Sequence, residues 1–153
     1  MGFDDLINEA SKEGVNVIEM NFKGKSKGYY LDNVIAINAK LETTAEKRCT
    51  LIEEIGHLKT SSGNILDAKN TSNRKQEKRA RNWAYEKLAG IISIVTAFEK
   101  GIRSKYDLAE YLNITENFLE EAIQHYREKY GVCYEIDTYV IYFEPNFGIF
   151  KKF

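Results

Sequence analysis

Hydrophobic residues follow helical spacing in some stretches of the chain and strand-like spacing in others. Residues 3–12 carry apolar side chains at helical spacing, which predicts an amphipathic helix that ends before Gly14. A β-prone run over residues 15–22 predicts a strand. Residues 29–37 predict a hairpin, because the pair Asp32-Asn33 tolerates the left-handed backbone of a tight turn. The first third of the chain is therefore expected to form a helix and a small sheet.

Helical patterns dominate the middle of the chain. A helix is predicted from a cap at Thr43 or Thr44 to about Thr60, and a second, long helix from about Arg74 to Glu99. Two shorter helices are predicted over residues 105–112 and 115–130, and these form a helical hairpin. Strand-like alternation returns over residues 132–150, which predicts a terminal hairpin or meander. The order of elements indicates an α+β fold.

Composition and charge exclude several classes of protein. The 153 residues suffice for one domain with a short appendage, and 43% of them are hydrophobic, which is typical of a folded chain. The formal net charge of −1 provides no global attraction to nucleic acid or to an anionic membrane. Cys49 and Cys133 are expected to be reduced core residues. Residues 1–13 lack the pattern of a secretory signal and no apolar stretch is long enough to span a bilayer, so a cytoplasmic location is expected.

The first predicted motif helix carries three residues in a pattern suited to metal chemistry. Glu53 and His57 are four residues apart, so their side chains leave one face of the helix close enough to hold one cation. Glu54 lies beside them on the helix and is available as a general base. In zinc peptidases such a base takes a proton from the attacking water and returns it to the leaving amine.

A third protein ligand is expected from the second long helix. Glu77 is the candidate, because Ala80 and Ala84 follow it at helical spacing and small residues allow two helices to approach closely. Three protein ligands would leave a fourth position for water, as in catalytic zinc sites.

Two segments carry a resemblance to a known family. They read Leu51-Ile52-Glu53-Glu54-Ile55-Gly56-His57 and Glu77-x-x-Ala80-x-x-Trp83-Ala84-x-x-x-Leu88. In order and spacing they resemble the paired motifs of the ImmA/IrrE metallopeptidases, and the resemblance extends over Gly28 to Ile92. It implies a zincin-like core, with a small antiparallel sheet packed on the two motif helices. It also implies Glu53, His57 and Glu77 as metal ligands and Glu54 as the catalytic base.

The resemblance also suggests how the chain is divided. Residues 1–100 are expected to form the metallopeptidase core. Residues 101–153 are expected to add the helical hairpin, which looks like a helix-turn-helix, and C-terminal β-strands packed on the core.

The first motif departs from the common form of the family at one position. Glu53 stands where a histidine is usual, and such Glu-Glu-x-Gly-His variants resemble those of phages and mobile elements. A carboxylate in place of an imidazole lowers the Lewis acidity of the metal, so weaker activity or an altered metal preference is expected. Zn2+ is the expected cofactor, with Mn2+ and Fe2+ as alternatives.

The function implied by the resemblance is site-specific cleavage of a protein. The expected substrate is a helix-turn-helix repressor of a phage or mobile element, which would make the protein an anti-repressor. The alternative is a catalytically degenerate relative that binds a regulatory partner without cleaving it. Direct nucleic-acid binding is disfavoured, because residues 107–121 of the helical hairpin contain five acidic residues and no Lys or Arg. A role in packing or in protein recognition is expected for that hairpin.

Several other residues have more than one interpretation. The cluster Arg74, Lys75, Lys78, Arg79 and Arg81 suggests a solvated helix face, an exosite for an acidic partner, or guanidinium groups that stabilise the carboxylates. A histidine on a late helix, such as His125, is more often a surface residue than a substrate contact, so a surface position is expected. The tyrosines at positions 29, 30 and 85 are alternative hydrogen-bond donors to a developing oxyanion. A core or surface role is favoured for each because the chain has ten tyrosines, so none is assigned to catalysis.

Overall fold

Six helices and six strands follow one another in the part of the chain that the computed structural model describes, residues 2–60 and 71–152. In chain order they are α1 (Phe3–Lys12), β1 (Asn16–Met20), β2 (Gly28–Leu31), β3 (Val34–Asn38), α2 (Thr44–Thr60), α3 (Thr71–Leu88), α4 (Ile91–Glu99), α5 (Lys105–Leu112), α6 (Glu116–Tyr130), β4 (Cys133–Ile136), β5 (Tyr139–Tyr142) and β6 (Gly148–Lys151). The fold class is therefore α+β, as predicted.

Two compact units divide the chain, Met1–Leu88 and Ala89–Phe153. The first contains α1 to α3 and the sheet of β1, β2 and β3, whereas the second contains α4 to α6 and the sheet of β4, β5 and β6. The sequence analysis expected the domain boundary after residue 100, and that division into domains stays a prediction. Within the described ranges, no helix is both long and apolar enough to cross a membrane.

The sheet of the first unit is mixed. Its hairpin is as predicted, with Asp32 at φ 50° and Asn33 at φ 63° in the turn between β2 and β3. The strand order is β1-β3-β2, and β1 pairs with β3 in parallel. The expectation of a wholly antiparallel sheet is therefore corrected at β1. Strands β1 and β2 run in opposite directions. The tight turn after β2 reverses the chain, so β3, which lies between them, runs antiparallel to β2 and parallel to β1.

Helix α2 is the central element of the first unit. It contacts α1, α3, β2 and β3, which explains why apolar or buried residues occur on several sides of this helix instead of in one stripe. The buried positions are Arg48, Cys49, Thr50, Leu51, Ile52, Ile55 and Gly56. Thr43 caps the helix as expected, because its hydroxyl oxygen accepts a hydrogen bond of 3.1 Å from the backbone N–H of Glu46.

The long helix predicted over residues 74–99 is wrong in one respect, since it is two helices. α3 ends at Leu88, and Gly90 takes an extended conformation, with ψ 153°, to become the N-cap of α4. Glycine is a poor helix former and is readily accepted at an N-cap, so the break falls at the residue least suited to the helix interior.

The second unit begins with the helical hairpin that the sequence predicts. Ser104 and Thr115 cap α5 and α6 by accepting 3.0 Å hydrogen bonds from backbone N–H groups three residues later. Asn113 ends α5 in the left-handed region, at φ 54°. The predicted C-terminal hairpin is β4 and β5, and β6 extends it to an antiparallel meander.

The core of the second unit is aromatic at its centre. Tyr126 is 1% exposed, its ring stacks near Phe143, and its hydroxyl donates a 2.8 Å hydrogen bond to the carbonyl oxygen of Ala89. Neither cysteine forms a disulfide. Cys49 is buried, as expected of a core residue, whereas Cys133 is half-buried.

Candidate active site

The candidate site begins at the contact between α2 and α3. A Cβ atom built on Gly56 would lie 2.5 Å from the backbone carbonyl oxygen of Ala80 and 3.4 Å from the ring of Trp83. Only glycine allows this approach. Ala80 and Ala84 are fully buried, so the small side chains predicted to permit close helix packing do line the buried side of α3.

Close packing of these helices brings His57 into the electrostatic field of two residues on α3. The pKa of His57 lies below its usual value, chiefly because burial disfavours the imidazolium. The carboxylate of Glu77 opposes this shift, and the guanidinium of Arg81 adds to it. His57 is therefore held mainly as the neutral imidazole, which is the form that binds metal ions.

The Nδ1 atom of His57 is buried and has no hydrogen-bond partner within residues 2–60 and 71–152. A buried polar atom without a partner is costly, and such atoms often mark a functional site. Together with the nearby carboxylate of Glu77, a neutral imidazole gives nitrogen and oxygen donors that suit Zn2+ and other transition-metal ions.

Glu54 precedes His57 by three residues on α2, and its half-buried side chain lies where the helix packs against β2. A Cβ atom on Gly28, the first residue of β2, would lie 2.8 Å from Cγ2 of Thr50 and 3.6 Å from Cγ of Glu54. The start of β2 therefore packs against the aliphatic part of the Glu54 side chain. Burial, with a smaller contribution from the charge of Glu53, raises the pKa of Glu54 to about 7.

Two electrostatic effects connect the four residues singled out from the sequence. The charge of Glu53 raises the pKa of Glu54, its neighbour on α2, and the charge of Glu77 on α3 acts to raise the pKa of His57. Across residues 2–60 and 71–152, no group of three or more His, Cys, Asp or Glu side chains is arranged to hold a metal ion. The joint ligand set of Glu53, His57 and Glu77 therefore stays a prediction, and the donors of His57 and Glu77 are its best-supported part.

The basic cluster of α3 lies largely at the surface. Its members Arg74, Lys75, Lys78, Arg79 and Arg81 are all exposed. Arg81 is the member that acts on the candidate site, because its charge contributes to the lowered pKa of His57.

His125 differs from its expected surface position. It is 8% exposed in α6, and its ring centroid lies 5.2 Å from that of Tyr126. His125 lies in the interior of the second unit because it is on the buried face of α6.

The sequence pattern gives no structural role to Gly28, which directly precedes the predicted hairpin. A glycine at the start of an edge strand is a signal for close approach of another element, and here that element is α2. Thr50 was missed for a related reason, because a buried threonine cannot be distinguished in the sequence from a solvated one.

A small sheet on a central helix that carries Glu-Glu-x-x-His, with a second helix packed across a glycine, is the arrangement of a minimal zincin-like core. The family model described as the IrrE N-terminal-like domain, a peptidase family, matches residues 10–124. The chain belongs to this family, and membership indicates a metal-dependent peptidase-type role. No curated protein and no solved structure matched the chain.

Proposed function

We propose that this protein is a metal-dependent, site-specific endopeptidase in which Glu54 is the general base. The observation that carries the proposal is the burial of Glu54 where α2 packs against the start of β2, together with the pKa of about 7 that burial and the charge of Glu53 give this carboxyl group. A carboxyl group with a pKa near neutrality exchanges a proton in both directions at physiological pH, which general acid–base catalysis requires.

The metal ligands in this proposal are Glu53, His57 and Glu77, with Zn2+ preferred and Mn2+ or Fe2+ as alternatives. When bound, the metal supplies Lewis-acid polarisation of a water molecule and of the scissile carbonyl group. Glu54 takes a proton from the attacking water and later donates it to the leaving amine. Because the pKa of His57 is lowered, its imidazole stays neutral, and so able to bind a metal ion, at lower pH than an ordinary histidine does.

The proposed substrate is a helix-turn-helix repressor of a phage or mobile element. The support is the variant motif, Glu53-Glu54-Ile55-Gly56-His57, which resembles those of mobile-element members of the family. We assign α5 and α6 to protein recognition or packing. Their acidic residues repel phosphates, and Lys105, the one basic residue of α5, is engaged by Glu120 at 2.9 Å.

A cleavage assay tests this function. The purified protein is incubated with the repressor encoded beside its own gene, and the products are identified by mass spectrometry. Specific cleavage is expected with the native protein and with Glu42→Gln, an exposed carboxylate used as the matched control. Glu54→Gln is expected to lower the rate at least about a hundredfold, the usual scale for a general base. Cleavage that survives this substitution would rule out the proposed mechanism.

Metal content is a separate test that does not depend on finding the substrate. Elemental analysis of purified protein is expected to give one equivalent of Zn2+, Mn2+ or Fe2+. Glu77→Ala should reduce this occupancy, whereas Glu86→Ala, on the exposed side of the same helix, should not. Equal metal content in both variants would remove Glu77 from the ligand set.

A second function is favoured by two observations. Glu53 replaces the usual histidine, and the described residues contain no assembled three-ligand group. These fit a protein that binds its regulatory partner without cleaving it. In that case the repressor is retained in a pull-down after chelator treatment and stays intact on prolonged incubation. Metal-dependent cleavage would exclude this alternative.

A further inference from the structure

The second unit contains a cavity that the proposed function does not use. Its volume is about 150 Å³, and it lies where α4 and α5 meet β6. The walls are mainly apolar and are formed by Ile94, Phe98, Ile102, Leu108, Phe147 and Ile149. Apolar cavities of about this size accept a benzene-sized molecule. The volume and the lining therefore indicate a ligand with an apolar part about the size of a benzene ring.

One charged side chain, Arg103, also lines this cavity. Its Nη1 atom donates hydrogen bonds to the carbonyl oxygens of Phe98, at 2.8 Å, and Ile102, at 3.1 Å. The guanidinium lies over the ring of Phe98, 4.1 Å from its centroid. Two hydrogen bonds and a ring contact fix the orientation of the guanidinium, so little conformational freedom is left to lose on binding a ligand.

The remaining edge of the guanidinium is available to a ligand. A guanidinium has five N–H donors, and within residues 2–60 and 71–152 the Nε and Nη2 groups of Arg103 make no hydrogen bond and no ion pair with a carboxylate. Glu99, the acidic residue at the end of α4, interacts instead with the hydroxyl of Tyr139. The Nε–Nη2 edge matches the two oxygens of a carboxylate, which it binds through parallel hydrogen bonds.

We propose that this cavity binds a small organic monocarboxylate whose apolar body is about the size of a benzene ring. The apolar body fills the space between α4, α5 and β6, and the carboxylate pairs with Arg103. Aromatic rings from Phe98 and Phe147 form part of the wall, so an aryl carboxylate suits the lining better than a polar acid of equal size. This site is independent of the peptidase chemistry proposed for the first unit.

Titration with phenylacetate tests the proposal, with backbone amide NMR shifts as the readout. Binding is expected with a Kd on the order of 1 mM, as for a ligand of this size. The largest shifts should occur at residues 94–108 and 147–150. Phenylacetamide, which is neutral and nearly identical in shape, should bind at least about threefold more weakly, since it lacks the charge that pairs with the guanidinium. Phenethylamine should not bind.

Variants separate the two parts of the site. Arg103→Gln should reduce phenylacetate binding to the level of the amide, and Ile149→Trp should block both ligands by filling the cavity. Arg127→Gln is the matched control, because Arg127 also donates hydrogen bonds to a backbone carbonyl oxygen, that of Phe143, but does not line the cavity. It should leave binding unchanged.

The comparison of acid with amide uses the native protein and does not depend on any variant folding. Equal affinities for phenylacetate and phenylacetamide would overturn the assignment of a carboxylate site. Shifts confined to residues outside the cavity, or no shifts at all, would overturn the site itself.

Discussion

Gly56 on α2 and Ala80 on α3 lie so close that a Cβ atom at position 56 would meet the carbonyl oxygen of Ala80 at 2.5 Å. The obstructing atom belongs to the backbone, so no side-chain rotation relieves the contact. The two helices that carry the candidate metal ligands therefore keep their spacing only while position 56 is glycine.

Gly56→Ala is expected to destabilise the protein by about 2 kcal/mol, because overpacking outweighs the gain in helix propensity. Urea unfolding measures the change. Gly24→Ala is the control, since a Cβ atom there meets nothing within 4 Å, and it should stay within about 0.5 kcal/mol of the native protein. Similar stabilities for the two variants would show that the helices tolerate a wider spacing.

Gly28→Ala should also destabilise the protein, by about 1–3 kcal/mol, through contact with Cγ2 of Thr50 at 2.8 Å. Thr50→Ser removes that methyl group. The penalty of Gly28→Ala is therefore expected to be smaller in the Thr50→Ser background, with a coupling on the order of 1 kcal/mol. Urea unfolding of the two single variants, the double variant and the native protein gives this coupling. Strict additivity would mean that the strand and helix adjust elsewhere.

Glu54 should make the metal-free protein less stable as the pH rises. Its pKa is about 7 in the folded protein and 4.5 for an ordinary glutamate, so between these values the folded state holds a proton that the unfolded chain releases. Stability then falls from pH 4.5 to 7 and remains lower above that range, by about 3 kcal/mol at most.

Glu54→Gln removes this ionisation. In the presence of chelator, the variant is expected to gain stability over the native protein as the pH increases, with the full difference reached above pH 7. Thermal or urea unfolding at pH 4.5, 6 and 8 measures it. The exposed residue Glu42 provides the control, because Glu42→Gln should follow the native pH profile. A pH-independent difference for Glu54→Gln would contradict the proposed burial of this carboxyl group.

Two substitutions on α3 should move the pKa of His57 in opposite directions. Arg81→Gln should raise it by removing a nearby positive charge, and Glu77→Gln should lower it by removing a negative one. Proton NMR titration of the imidazole in metal-free protein reports both changes, and His125→Gln identifies which of the two histidine signals belongs to His57. Shifts of the same sign would place His57 away from this pair.

Local sequence signals predicted the elements well because each depends on a few neighbouring residues. Thr43, Ser104 and Thr115 cap helices through hydrogen bonds to the following turn, and Asp32-Asn33 forms a tight turn through its own backbone preference. The motif on α2 was recognisable because Glu53, Glu54 and His57 are close in sequence as well as in space.

Features that depend on distant residues were not predictable in the same way. The strand order in the first sheet depends on which strand β3 pairs with after the turn that follows β2. The hydrophobic pattern of β1 is the same for parallel and antiparallel pairing. The close approach of β2 to Glu54 depends on Gly28, 26 positions earlier, and the burial of His125 depends on the packing of the second unit. Such contacts are set by tertiary structure, which a single sequence encodes only indirectly.

The placement of β3 between β1 and β2 determines how far this protein can be shortened. Both edges of β3 are hydrogen-bonded, and one of its partners is a strand from the amino-terminal 20 residues. A chain that began after Met20 would leave one full edge of β3 open, with unpaired N–H and C=O groups beside the buried Ile35 and Ile37. Such a fragment would retain every residue of the candidate site and still be prone to associate with other copies through that edge. Fragments intended for study should therefore begin before Asn16.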